Sequence, residues 1–165
     1  MSDIRIVSTA TLERTIADWF LLPDGSLDES EELATLVKVA LMTDRRADRD
    51  EILPDPDSTD RRGWWGDYEA ELIWDGWPVG CKNWVLLRNP ITDPYSLEGD
   101  TVLRAQNYTR EALTPMINKR YCTGIDVQAA RVDIERIHVL VRVFRGPLPE
   151  IALRFQDLWT EIRES

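Results

Sequence analysis

A four-residue phrase occurs twice in this chain, as Thr43-Asp44-Arg45-Arg46 and as Thr59-Asp60-Arg61-Arg62. Between the copies runs an acidic stretch, Ala47 to Ser58, that contains Pro54 and Pro56. Proline is unsuited to a helix interior or the middle of a sheet, so residues 45–62 read as a long loop. Loops of that length in a compact domain are functional or disordered unless something ties them down. Here the arginine-rich ends supply the ties, which predicts pinned ends and a mobile middle. No longer repeat accompanies the phrase, so a solenoid is not implied.

The second copy continues directly into Gly63-Trp64-Trp65-Gly66-Asp67. Asp60 and Asp67 are placed to accept the planar forks of Arg61 and Arg62 as bidentate pairs. The glycines permit backbone angles and close approaches that other residues resist. The two indoles each offer about 150–250 Å² to bury. The expected object is a rigid, cross-braced loop around buried indoles. The alternative for Trp64 and Trp65 is burial by a partner, since Trp and Arg dominate protein–protein hot spots. For the arginine pairs the alternatives are internal bracing and an assembly contact. Trp74 and Trp77 flank Asp75-Gly76 in a turn and form a candidate partner surface.

The rest of the chain reads as a compact fold around this loop. At 165 residues it is expected to form a single domain, residues 1–165. Asp3 to Val7 alternates polar and apolar as a strand does. Pro23-Asp24-Gly25 marks a turn, placed in a hairpin over 16–27. A helix over 28–44 is predicted from a capping box, Asp28 with Glu31, and an apolar stripe of Leu33, Leu36, Val37, Ala40 and Leu41. Trp84 to Leu87 is a short apolar run whose periodicity fits either a strand or a buried helix. A second helix is predicted from about Ser96–Asp100 to Lys119, with Pro115 causing a kink or an early end. Residues 124–145 read as an antiparallel hairpin with a bulge near Val132–Ile134. Ile137, Val139, Val141 and Val143 share one face. Residues 150–155 make a further strand, and 156–164 a short helix. Strands segregated from helices imply α+β, a mostly antiparallel sheet packed on two main helices.

Several function classes are disfavoured. The net charge of −10 argues against nucleic acid, which requires a basic footprint, and against an anionic membrane face. No apolar run approaches a membrane span, and Met1 to Arg5 does not resemble a secretory signal. Cys81 and Cys122 are too few for a disulfide scaffold and read as small buried hydrophobes. His138, the single histidine, lies on a strand and reads as structural or surface-exposed; a dyad with either cysteine has no support. Asp55, Asp57 and Asp60 begin like a calcium loop but lack its glycine and its final glutamate. No metal or other cofactor is therefore expected. Asp60, Asp67 and Glu69 are the carboxylates that a peptidoglycan-degrading, lysozyme-like glycoside hydrolase would need. The neighbouring arginines, however, would keep the aspartates ionised, which is wrong for a general acid. No enzyme activity is expected.

One resemblance covers roughly residues 3–163. Leu41-Met42-Thr43-Asp44-Arg45-Arg46-Ala47, the acidic Pro-containing spacer, and Asp60 to Asp67 resemble the tail baseplate proteins of Mu-like phages. These are similar to the small wedge subunit of T4-type contractile tails. The likeness continues through Gly80–Arg88 and Arg104–Leu113 and ends at Arg154-Phe155-Gln156-Asp157-Leu158-Trp159. It implies a structural subunit of a contractile tail baseplate, present in multiple copies. Its implied partners are other baseplate wedge proteins, the central tube or hub, and the sheath. The implied location is the host cytoplasm during assembly and then the virion tail baseplate. Asp44, Arg45, Arg46, Asp60, Arg61, Arg62, Gly63, Trp64, Trp65, Gly66 and Asp67 form the candidate interface motif. The edges at residues 3–7 and 150–155 are candidates for strand pairing with a neighbour.

Overall fold

The structure is a computed structural model, and it describes residues 6–10, 15–19, 21–26, 32–73, 75–76, 79–89, 91, 100–132, 136–146 and 149–155. The chain divides into two compact units, residues 1–39 and 40–165. The described residues are α+β, with antiparallel sheets and helices in separate runs.

In the first unit, β1 (Ile6–Ala10) pairs antiparallel with β2 (Thr15–Trp19), Ile6 opposite Trp19. The hairpin expected over 16–27 falls partly outside the described residues, at 20 and 27. The Pro23-Asp24-Gly25 turn expected within it does form. Leu22 N–H donates to Ser26 O and Gly25 N–H to Leu22 O, with Gly25 at φ +82°. Helix α1 (Glu32–Met42) follows. Of its predicted stripe, Leu33, Val37, Ala40 and Leu41 are buried and Leu36 is half-buried. The Asp28–Glu31 capping box lies outside the described residues.

The second unit is built on α3 and a three-stranded sheet. A short α2 (Ala70–Ile73) precedes it, and Trp84–Val85–Leu86 resolves as part of a 3-10 turn, Asn83–Leu86. Helix α3 (Thr101–Asn118) starts at Asp100, whose carboxylate accepts the Val102 N–H, as an N-cap side chain does. Its buried residues Thr101, Ala105, Thr109, Ala112, Leu113 and Met116 fall on one helical stripe. Ile117, expected on that face, is 38% exposed.

Pro115 does not terminate α3; the helix continues to Asn118. The stop is a reciprocal pair beyond it. Arg120 adopts φ +61°, Tyr121 N–H donates to Met116 O and Arg120 N–H to Ile117 O. This is the Schellman arrangement, with arginine in the place glycine usually holds.

Strands β3 (Gly124–Arg131), β4 (Ile137–Phe144) and β5 (Pro149–Phe155) form the sheet in that order, all antiparallel. Ile137, Val139, Val141 and Val143 are buried and alternate with half-buried residues. α3 packs on β3 and β4, and Gln106 donates to Val127 O at 2.9 Å. The bulge expected near 132–134 is not in the ladder, which runs unshifted from Gly124↔Phe144 to Arg131↔Ile137. Residues 133–135, on which the rest of that expectation falls, lie outside the described residues. The irregularity lies against β5, between Val143 and Phe144. The predicted terminal helix over 156–164 lies outside the described residues. No helix among the described residues is long and apolar enough to cross a membrane.

Candidate functional site: a braced loop

The two ends of the 43–67 segment meet. Thr43 O accepts the Cys81 N–H at 2.8 Å, and Arg45 N–H donates to Cys81 O at 3.2 Å. Gly80 makes this approach possible. At φ +116°, its added Cβ would lie 2.8 Å from both Arg45 N and Thr43 O. Higher up, Ala47 N–H donates to Arg61 O at 2.9 Å, closing the loop base.

The arginines do brace the loop, but by different routes from those expected. Arg61 donates to the main-chain carbonyls of Asp48, Arg49 and Glu51. Arg62 pairs with Asp44 of the first phrase at 2.6 Å and lies over the Trp84 ring, 4.7 Å from its centroid. Arg45 reaches Glu111 on α3 at 2.8 Å. Arg46 is exposed, and its guanidinium lies 3.5 Å from Arg62 O. Among the described residues, Asp60 and Asp67 receive no arginine fork. Asp60 accepts the Arg62 N–H at 2.8 Å and Asp67 the Trp64 N–H at 3.1 Å. Short acidic side chains bond nearby backbone N–H groups readily, and this local capture leaves the guanidinium groups to carbonyls and to Asp44.

The indoles also differ from expectation. Trp65 is 80% exposed and Trp64 only partly buried. The indole beneath the loop is Trp84, at 2% exposure, with its Nε1–H donating to Arg45 O at 2.8 Å. Ala47, Val85, Leu53, Leu87 and Tyr108 pack with it. Gly63, at φ +106°, is held between Asp67 and Arg46: an added Cβ would lie 2.8 Å from Asp67 Oδ2 and 3.2 Å from Arg46 Cβ. Gly66 lies in the 3-10 turn Trp65–Asp67. Trp74 and Trp77 lie outside the described residues.

Sequence reasoning missed the charged centre of this site. The Lys82 ammonium, its side chain 6% exposed, lies 2.9 Å from Asp48, 2.9 Å from Glu51 and 3.7 Å from Glu111. Glu51 also accepts the Tyr108 hydroxyl at 2.9 Å and the Asp48 N–H at 2.7 Å. Burial opposes the charge on Lys82. Its hydrogen bonds to Asp48 and Glu51 and the fields of Glu111 and Glu51 outweigh that, holding its pKa above the ordinary lysine value. The hydrogen bond from Lys82, with the nearby charges of Lys82, Arg45 and Arg61, holds the Asp48 carboxyl below its usual value against burial. The available signal was a lone lysine in the apolar run from Cys81 to Leu87. Its partners were not readable, since Asp48 lies 34 positions away.

Cys81 and Cys122 are buried free thiols, in keeping with their reading as small hydrophobes. Desolvation pushes the Cys81 thiol up to about 11. Among the described residues no cluster of His, Cys, Asp and Glu has the makings of a metal site. Asp55 instead accepts the Asp57 N–H and lies 3.7 Å from Arg88.

The family model described as phage protein GP46 matches residues 33–147, a span that takes in all but the first residue of α1, the whole braced loop, α3, β3 and β4. This chain belongs to the GP46 family. Among its relatives, the baseplate protein gp46 of Escherichia phage Mu is 37% identical over 102 residues, 62% of this chain. The match spans 62% of that protein's own length, under two thirds of it. The GP46 span thus contains both Thr-Asp-Arg-Arg phrases, Lys82 and its carboxylates, and Trp84.

Proposed function

We propose that this chain is a structural subunit of the tail baseplate of a Mu-like contractile phage or phage-like particle, acting through protein contacts rather than turnover. The observation that carries this reading is membership of the GP46 family together with 37% identity to a protein named as a baseplate component. Supporting it, three basic side chains in and beside the loop are spent on bracing it. Arg61 is committed to three carbonyls, Arg62 to Asp44, and Lys82 to carboxylates from the loop and α3. A glycosidase needs one carboxyl kept protonated by an apolar pocket and a second that is ionised. Asp60 and Asp67 instead accept backbone N–H groups, and Glu69 is exposed, which favours the non-enzymatic reading.

In this proposal the subunit occurs in several copies around the tail axis. It contacts other baseplate wedge proteins, the central tube or hub, and the sheath where it begins. It would be made in the host cytoplasm and end in the virion tail. The test is deletion of its gene, with particles viewed by negative-stain electron microscopy. The expected result is an absence of complete contractile tails, restored by the gene in trans. Normal tails from the deletion would overturn the reading. In a parallel turbidity assay the purified protein is expected to leave cell walls intact; clearing would restore the hydrolase reading.

A further inference from the structure

Three large apolar side chains stand in solvent within eight residues: Trp65, Tyr68 and Leu72, at 80%, 79% and 81% exposure. They are the most exposed large hydrophobics among the described residues. Singly exposed apolar residues need no explanation, whereas a concentration of them marks an interaction surface.

The segment is shaped in advance of any contact. Trp64 and Trp65 lie against each other, ring centroids 5.2 Å apart and planes tilted by 58°. Trp65 O accepts the Tyr68 N–H at 3.3 Å, and Asp67 ties back to the Trp64 N–H. Non-glycine residues rarely take positive φ. Arg62 and Glu69 do so here, at 50° and 59°, against their local preference. Strain of this kind collects at functional sites. Holding side chains in place before binding lowers the ordering cost of association. Two aromatic rings at about 150–250 Å² each are a substantial share of the roughly 800 Å² that one partner contributes to a standard interface.

Charge selects the occupant. Residues 65–76 contain Asp67, Glu69, Glu71 and Asp75 and no lysine or arginine; Lys119 answers Asp75 at 2.5 Å, while Glu69 stands exposed beside Tyr68. A second copy of this chain, itself at −10, would set acidic surface against acidic surface, which is unfavourable. An anionic membrane and nucleic acid are disfavoured for the same reason. We propose that Trp65, Tyr68 and Leu72 are the anchors of a docking surface for a cationic protein partner, one with apolar pockets rimmed by lysine or arginine. This rests on the baseplate reading and names the face and the partner chemistry it requires.

The test uses the full chain, with the other baseplate subunits of the same phage purified as probes and titrated singly by biolayer interferometry. At least one is expected to bind the wild type. For that subunit, W65S and Y68S should each weaken binding at least tenfold, and E69K should also weaken it. Raising salt from about 50 to about 300 mM should weaken it further. I52S, at another exposed site of the braced loop, should leave it unchanged. Unaltered thermal melts establish that the variants are folded. Wild-type binding that W65S and Y68S leave intact overturns the docking surface while the baseplate reading stands. Binding that salt and E69K leave unchanged overturns the cationic partner. Sedimentation showing a wild-type dimer that W65S abolishes assigns the face to a second copy and overturns the proposal. Binding by no subunit at all removes the baseplate reading and the proposal with it.

Discussion

The ammonium of Lys82 and the carboxylate of Glu51 lie 2.9 Å apart, with both side chains withdrawn from solvent, at 6% and 14% exposure. Removing one member of such a pair strands the other's charge, and that penalty exceeds what the intact pair contributes. Lys82→Met is therefore expected to destabilise the protein by about 3 kcal/mol, lowering Tm by roughly 6–12 °C. Glu51→Gln removes the charge but keeps hydrogen-bonding capacity toward Tyr108 and Asp48, and it should cost less. Thermal unfolding followed by circular dichroism measures both.

Arg62→Ala should be milder than a fully buried ion pair would require. The Arg62 and Asp44 side chains are 37% and 41% exposed, so solvent screens their attraction. Contact with the Trp84 ring adds a cation–π term. The expected loss is about 1–2 kcal/mol. Arg62→Lys should recover only part of it, since an ammonium lacks the planar face that stacks on the indole. Urea titrations of the two variants test the order.

Gly80→Ala should be more damaging than Gly63→Ala. At Gly80 the new methyl meets backbone on two sides, Arg45 N and Thr43 O, and neither can move without breaking the Thr43–Cys81 contact. At Gly63 the closest atom is the tip of the Asp67 side chain, which can rotate. About 3 kcal/mol is expected at Gly80, from overpacking and the positive φ together. Equal Tm shifts for the two variants would contradict this account.

Stability should fall on both sides of a neutral plateau. Asp48 has a lowered folded pKa; its contribution is present above the unfolded carboxylate value and is lost as pH drops through the folded one. Cys81 is raised from 9.0 to about 11; its contribution is complete below 9.0 and is lost as pH rises from there to about 11. Lys82, also raised, adds to the loss at still higher pH. Cys81→Ala should shrink the alkaline decline that begins near 9, leaving the part due to Cys122, whose thiol burial also raises. Urea unfolding between pH 3 and 11 checks both limbs.

Cys81 and Cys122 should resist a thiol reagent in the native state. Both are buried, and desolvation raises both thiols, whereas the thiolate is the reactive form. Dithionitrobenzoate at pH 8 should label them slowly, at a rate that rises with urea. Fast native labelling of either would contradict the packing described.

The regular elements were legible because their signals are local. Alternation from Ile137 to Val143 fixed β4 and its buried face, and the stripe from Leu33 to Leu41 fixed α1. Both phrases of the loop were readable as anchors, since charged residues beside a proline-containing spacer have few other uses. Which anchor meets which was not readable. Arg62 finds Asp44 and not Asp60, because Asp60 is captured by a backbone N–H two residues away. Nor could composition rank the indoles. Trp84 is buried because the apolar run around it lies against the loop and α3, whereas Trp64 and Trp65 sit among glycines and carboxylates. The Lys82 cluster draws on three separate parts of the chain, and no window of sequence contains it.

The hydrogen bond from Ala47 N–H to Arg61 O separates the loop's length from the fold's integrity. With the base closed there, and the acid-rich tip around Asp55–Ser58 lying beyond it, residues can be added at the tip without disturbing the strands or α3. Lengthening a closed loop costs only about 0.6 kcal/mol for each doubling. The tip is thus a place where a label or an epitope can be inserted to mark the subunit in an assembled particle, and where related chains are free to differ in length while keeping the same closure.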